Sequence, residues 1–260
     1  MFKNILRVRN SILYFLCIIL LQVSCSKSSD PLPIPPTPPP TPTPIPTPLP
    51  HVGEVIMQAF YWDVPAGGTW YNVIESKLVS WKAAGITYIW LPPVSKAQSG
   101  ASSMGYDPYD YFDFGQYNQH GTVETRFGSE AELLSLLNNA TTQGFKLIAD
   151  IVINHNSGGD WEINPTTGTG YWTKFTPVSG KFNRNYNDFH PNSIHASDEG
   201  YFGGFPDLCH NVSNVKDWLW LRPDGVGKYY KNTLGFDGWR FDYVKGFSPD
   251  VVKQWNVNVG

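Results

Sequence analysis

Gly235-Phe-Asp-Gly-Trp-Arg-Phe-Asp-Tyr-Val-Lys-Gly246 is the stretch whose reading decides the fold. Phe236, Trp239, Phe241 and Val244 give it the aromatic and β-branched enrichment of a strand. Side chains alternate along a strand, so Arg240 and Asp242 are expected on one face, and the apolar neighbours predict that this face is a buried wall. A buried carboxylate is costly unless paired, and an adjacent guanidinium favours its charged form. Asp242 therefore has the attributes of a nucleophile, being charged, oriented and partly desolvated. By charge spacing alone, an ion pair that merely tethers a strand would look the same.

Upstream of this stretch, strand and helix signals alternate. Val55 to Phe60 is an apolar run expected as a parallel strand buried on both faces. Asn72 with Glu75 predicts a capping box opening a helix whose Ile74, Leu78 and Trp81 share one stripe, and Gly85 ends it. Ile86 to Leu91 reads as the second strand, closed by Pro92-Pro93. Ser129 with Glu132 caps a second helix running through Leu133, Leu134, Leu137 and Ala140 to Gly144, and Lys146 to Ile153 is the third strand. From Asn154 to about Leu221 periodicity gives way to Gly, Asn, Asp and His; so long a connection in a compact domain signals function, and it reads as an inserted small domain. Pro223 and Gly235 bracket a further helix before the deciding stretch. The alternation implies an α/β fold with a parallel sheet.

Residues 1–24 have the three-part form of an export signal, with Lys3, Arg7 and Arg9 ahead of the apolar run Ile12 to Val23, which is short for a membrane span. Cys25, within Val-Ser-Cys-Ser, sits in a loose lipoprotein cleavage box and is the expected lipidated N-terminus of a protein exported to the cell surface or outer membrane. Ordinary signal cleavage nearby, or a retained anchor helix, are the alternatives. The rest of residues 25–50 is rich in Pro and Thr, favouring polyproline II and a stiff tether of about 3 Å per residue. A formal net charge of -3 without a basic cluster argues against nucleic acid, and 10 Trp, 14 Tyr and 15 Phe suit a soluble domain that handles sugars. Cys17 and Cys25 belong to the leader, so Cys209 stands alone in the globular part and can form no internal disulfide.

Five strings together resemble one family. Gly238-Trp-Arg-Phe-Asp-Tyr-Val-Lys-Gly246 is similar to the nucleophile-strand motif of the α-amylases, retaining glycoside hydrolases, and is closest to their archaeal-type members. Asp150-Ile-Val-Ile-Asn154-His155 resembles the family's third-strand motif and Phe205-Pro-Asp207-Leu-Cys209-His210 the motif of its protruding B domain. Met104-Gly-Tyr106-Asp-Pro-Tyr-Asp-Tyr-Phe-Asp113 and Val55-Ile-Met-Gln-Ala-Phe-Tyr-Trp-Asp63 agree as well, so the resemblance runs from Val52 to the end. It implies a (β/α)8 TIM barrel, here truncated after about four βα units, with residues 154–221 as the inserted B domain and residues 51–260 as the N-terminal half of the catalytic barrel.

Asn154, Asp198 and Asp207 offer hard oxygen ligands which, with carbonyls and water, could reach the roughly six to eight that calcium takes, although scattered Asp and Asn serve turns equally well. The resemblance implies that the carbonyls of Gly200 and Gly246 complete this site. His190, His195 and Cys209 form a borderline-soft set that suits zinc. Their spacing alone is a weak signal, but residues at these positions bind zinc in the archaeal-type relatives. The resemblance further implies that Tyr106 stacks on the sugar beside the cleaved bond, that His155 hydrogen-bonds its hydroxyls and that Lys245 contacts the following sugar. Many relatives carry His after the motif Lys, where this chain has Gly246.

The expected function is hydrolysis of internal α-1,4 bonds in starch-like glucans with retention, Asp242 attacking while Arg240 aims it and a second carboxyl protonates the leaving oxygen. Transglycosylation, and non-catalytic glucan binding by a tethered protein, stay open as alternatives. A monomer is expected for the full-length protein, touching membrane only through the lipid. Without leader and insert, the chain falls well short of the ~250 residues of a barrel, and after Gly246 its only acidic residue is Asp250 on a helix. The acid/base Glu and a third carboxylate are thus expected beyond Gly260, and the isolated chain is expected to be inactive or insoluble.

Overall fold

The computed structural model describes residues 53–196, 200 and 202–260. The export signal, Cys25, the Pro/Thr tether and Asp198 lie outside the described residues. In chain order the first elements are β1 (Ile56–Gln58), α1 (Trp70–Glu75), α2 (Leu78–Ala83), β2 (Tyr88–Trp90), β3 (Lys96–Ala97), β4 (Pro108–Asp110) and α3 (Glu130–Thr142). Then come β5 (Lys146–Ile151), β6 (Asp160–Asn164), β7 (Thr169–Lys174), α4 (Ser213–Lys216), α5 (Val226–Asn232), β8 (Gly238–Phe241) and α6 (Pro249–Asn258).

Four of these strands form one parallel sheet in the order β1-β2-β5-β8. Helices lie between successive strands, which is the repeating unit of a β/α barrel. β3 with β4 and β6 with β7 make antiparallel hairpins, the second inside the region read as an insert. Ile89, Leu147, Ala149 and Ile151 from the sheet meet Ile74, Leu78, Leu133, Leu136, Leu137 and Ala140 from the helices in one buried cluster.

Local signals account for some of this. Ser129 and Glu132 form the expected capping box, the Ser129 amide donating to Glu132 Oε2 at 2.8 Å and the Glu132 amide to Ser129 Oγ at 3.3 Å. Gly85 and Gly144 end their helices with φ of 85° and 77°, where a side chain would be strained.

Elsewhere the structure corrects the sequence reading. Asn72 does not cap a helix: its amide donates to Glu132 Oε1 at 2.5 Å, tying α1 to the start of α3, and the expected single helix breaks in two at Ser76 and Lys77. β1 is not buried on both faces, because it borders only β2 and leaves Ile56 57% exposed. β8 likewise pairs only with β5, so the wall bearing Arg240 is half-buried, not buried. The last part of the expected insert is helical. α4 runs into a wider π turn over Asp217–Leu221 that buries Val215, Leu219 and Trp220 in the main cluster and packs on α5 and α6.

Candidate active site

The parallel register sets Asp150 of β5 beside Arg240 of β8. Arg240 Nη1 donates to Asp150 Oδ1 and Oδ2 at 2.9 and 3.1 Å and to Asp242 Oδ1 at 2.9 Å. One guanidinium nitrogen thus bridges two carboxylates in different surroundings. The Asp150 side chain is 0% exposed and that of Asp242 19%, so the second faces the open side. The Asp242 amide still donates to Ile151 O at 2.9 Å, extending the strand pairing, and Tyr243 then turns the chain away at a left-handed φ of 49°.

Asp150 is the hub of this group, and the sequence reading did not single it out as a site residue. It also accepts from Tyr106 Oη at 2.9 Å and Trp90 Nε1 at 3.1 Å. Burial pushes its carboxyl up to about 6, while Arg240 and Tyr106 pull the other way. Burial opposes the charge on Arg240, but Asp150 and then Asp242 more than offset it and hold the guanidinium above its ordinary value. Burial, reinforced by the Asp150 charge, raises the Tyr106 phenol, so that hydroxyl stays a donor. The available signal was a carboxylate inside the otherwise apolar run Leu147 to Ile153.

Tyr106 is held from three sides. Gly105 precedes it at φ 90°, in a turn where a Cβ would sit 2.7 Å from Pro93 Cβ. Asp107 follows it and accepts from the amide and hydroxyl of Ser99 at 2.9 and 2.7 Å. His155 Nε2 meets the Tyr106 carbonyl at 2.9 Å. His155 itself is buried, its ring stacked on Phe202 at 4.5 Å, and burial lowers its pKa. Exposed Trp62, unmarked in the sequence reading, lies 6.0 Å from Tyr106 with the rings 24° apart, extending the aromatic surface of Tyr106. Lys245 is exposed, its ammonium 5.1 Å over the Tyr243 ring.

The expected calcium ligands that are described lie close together. Asn154 is fully buried and its Oδ1 has no hydrogen-bond donor. A Cβ on Gly246 would collide with that same oxygen, and one on Gly200 would lie 2.6 Å from the Lys245 carbonyl. Asp207 pairs with His155, and the next amide, Leu208, donates to Asn154 O at 2.9 Å. An orphaned buried oxygen among glycines and a carboxylate suits a hard cation. At the second site Cys209 shares a hydrogen bond with His190; burial raises the thiol, but His190 and Asn192 lower it further. His195 sits ring to ring with His190 at 5.5 Å and offers that histidine its carbonyl, 3.2 Å from Nδ1. Among the described residues, no three His, Cys, Asp or Glu side chains converge closely enough to hold a metal.

Residues 53–256 match the family described as alpha amylase, catalytic domain. The chain is 30% identical over 253 residues to an alpha-amylase of Geobacillus stearothermophilus, covering 78% of this chain and 44% of that protein. It is 28% identical over 250 residues to the glucan 1,4-alpha-maltohexaosidase of Bacillus sp. (strain 707), covering 77% and 46%. The chain thus spans less than half the length of these relatives. In solved structures, the acarbose complex of the Geobacillus thermoleovorans alpha-amylase superposes with a TM-score of 0.53 at 22% identity, over 79% of this chain and 43% of that one.

Proposed function

Because the chain belongs to the α-amylase family through its catalytic domain, we propose that the protein carrying it hydrolyses internal α-1,4 bonds of starch-like glucans with retention of configuration. The observation that carries this reading is the Arg240 bridge, which anchors on buried Asp150 and presents Asp242 to the open side of the site. Asp242 attacks the anomeric carbon and forms a glycosyl ester as the glycosidic oxygen leaves with a proton from a second carboxyl. Water, deprotonated by that same carboxyl, then cleaves the ester. Asp150 is unsuited to be the second carboxyl, being fully buried and engaged by Arg240, Tyr106 and Trp90. Tyr106 and Trp62 provide the aromatic surface against which a sugar ring lies, His155 keeps the Tyr106 backbone in place, and Lys245 reaches toward the neighbouring sugar. NMR of the first products from amylose should show the α-anomer before mutarotation; β-anomer, or no new reducing ends, rules the reading out.

The same proposal includes the metal set of the archaeal-type members. Asn154, Asp207 and the carbonyls of Gly200 and Gly246, with Asp198, would hold a calcium ion whose role is to tie the insert to the sheet beside Asp242. A ligand bound only by the native state stabilises it by about 2.7 kcal/mol at a hundredfold excess over Kd. Calcium added to chelator-treated protein is thus expected to raise Tm by several degrees. His190, His195 and Cys209 would hold zinc, whose role there would be structural. Elemental analysis is expected to find zinc in the wild type and little in Cys209→Ser; an unmoved Tm or equal zinc removes the corresponding site.

A further inference from the structure

The β6–β7 hairpin leaves three large apolar side chains in water. Trp161, Ile163 and Trp172 are 54%, 60% and 60% exposed. They share a face: Trp161 and Ile163 alternate on β6, Ile163 faces Gly170, and Trp172 is two residues on from Gly170. Gly170 makes room for the arrangement, since a Cβ there would run into the Trp161 indole. The two indoles stand 5.2 Å apart at 70°. Such a cluster on a short, half-exposed hairpin contributes little to folding, and contiguous exposed apolar surface of this kind marks a binding site.

Both indoles line a cavity of about 1040 Å³, at the upper end of the range for ligand sites. Its other walls carry hydrogen-bonding groups, among them Gln98, His120, Ser157 and Asp160. Among the described residues its lining includes no Lys or Arg, which disfavours an anionic polymer. Indole faces beside hydroxyl-binding side chains instead match a neutral sugar polymer, whose rings offer C–H faces and hydroxyl rims. The cavity lies on the insert side of His155, and its lining includes none of Tyr106, Arg240 and Asp242. Phe205 lines it and lies 5.3 Å from the His155 ring, which holds the Tyr106 carbonyl.

We propose that this cavity, with Trp161 and Trp172, is a second binding site for a linear α-glucan segment, separate from the cleavage site, that makes the protein prefer long chains. The inference rests on the reading of the protein as an α-glucan hydrolase. Both tryptophans are exposed, so substituting them leaves the fold intact. In the full-length protein, Trp161→Ala with Trp172→Ala is expected to raise KM for amylose about tenfold, a loss of 1.4 kcal/mol. KM for a chromogenic maltotrioside, too short to occupy both sites at once, is expected to stay within about twofold, and Trp→Phe at both positions is expected to restore most of the amylose affinity. An amylose KM that does not move, or one that moves equally with the maltotrioside, overturns the inference. Binding is read separately, as retardation of the Asp242→Asn protein in amylose-containing native gels, which the hairpin substitutions are expected to weaken about tenfold. Hairpin-dependent retardation in a protein that hydrolyses nothing keeps this site and discards the hydrolase. Normal hydrolysis with retardation indifferent to the hairpin discards this site alone. A dimer that the double substitution converts to monomer makes the face a contact between copies and also overturns the inference.

Discussion

Replacing Asp242 with Asn in the full-length protein is expected to lower kcat on amylose by about 10⁴-fold or more while KM changes by no more than about threefold. The amide has the shape of the carboxylate and can still accept from Arg240 Nη1, which now meets Asp242 Oδ1 at 2.9 Å. What it lacks is the charged oxygen that forms the ester. Stability is expected to stay near wild type, because Asp242 lies just past the end of β8 and its backbone amide keeps its bond to Ile151 O. A fall in kcat of less than about tenfold would remove Asp242 from the role of nucleophile. A protein that only binds glucan would show no change at all, since it has no turnover to lose.

Asp150→Asn is expected to have the second largest effect, through position and not through chemistry. The carboxylate accepts both contacts from Arg240 and one each from Tyr106 and Trp90. An amide presents one acceptor oxygen and a donor face, so it cannot satisfy all three partners. Arg240 is then free to shift, and a displacement of about 1 Å at a reacting group costs on the order of 10²-fold in kcat. The variant also has a pH signature. Burial raises Asp150 to about 6 in the fold, above about 3.9 in an unfolded chain. Between about pH 4 and pH 6 the folded state therefore binds more protons than the unfolded state, so this group's contribution to stability declines as pH rises through that window. Below it both states are protonated, and above it the loss, on the order of 3 kcal/mol, is complete. Asn does not titrate. In urea unfolding, the wild type is expected to lose stability relative to Asp150→Asn on going from pH 4.5 to pH 7. Identical pH slopes in the two proteins would show that Asp150 is not the buried, charged anchor described.

These residues also show what a sequence can and cannot reveal. Alternation placed Arg240 and Asp242 on one face correctly, because that depends only on the period of a strand. It could not show that Arg240 meets Asp150, since a partner across the sheet depends on which strands pair and in what register. Ser129 and Glu132 were legible because their reciprocal bonds lie within one helical turn. Asn72 was misread for the opposite reason: its amide is drawn to Glu132 on α3, a tertiary contact that overrides the local pattern. The exposure of Ile56 and the half-open wall around Arg240 follow from β1 and β8 being the outer strands of the described sheet, which strand composition does not encode. Trp161 and Trp172 fell in a region without helical or strand period, and only the paired hairpin reveals that they share a face.

The central claim is that Asp242, aimed by Arg240, becomes covalently bonded to the sugar. The most direct measurement is mass spectrometry of peptides from the full-length protein after reaction with a fluorinated glucosyl fluoride, which forms the ester quickly and hydrolyses slowly. The account predicts one labelled peptide, carrying a single glycosyl residue on Asp242 and absent from Asp242→Asn. A label on a different carboxylate, or amylose hydrolysis by a protein that never acquires a label, would contradict it.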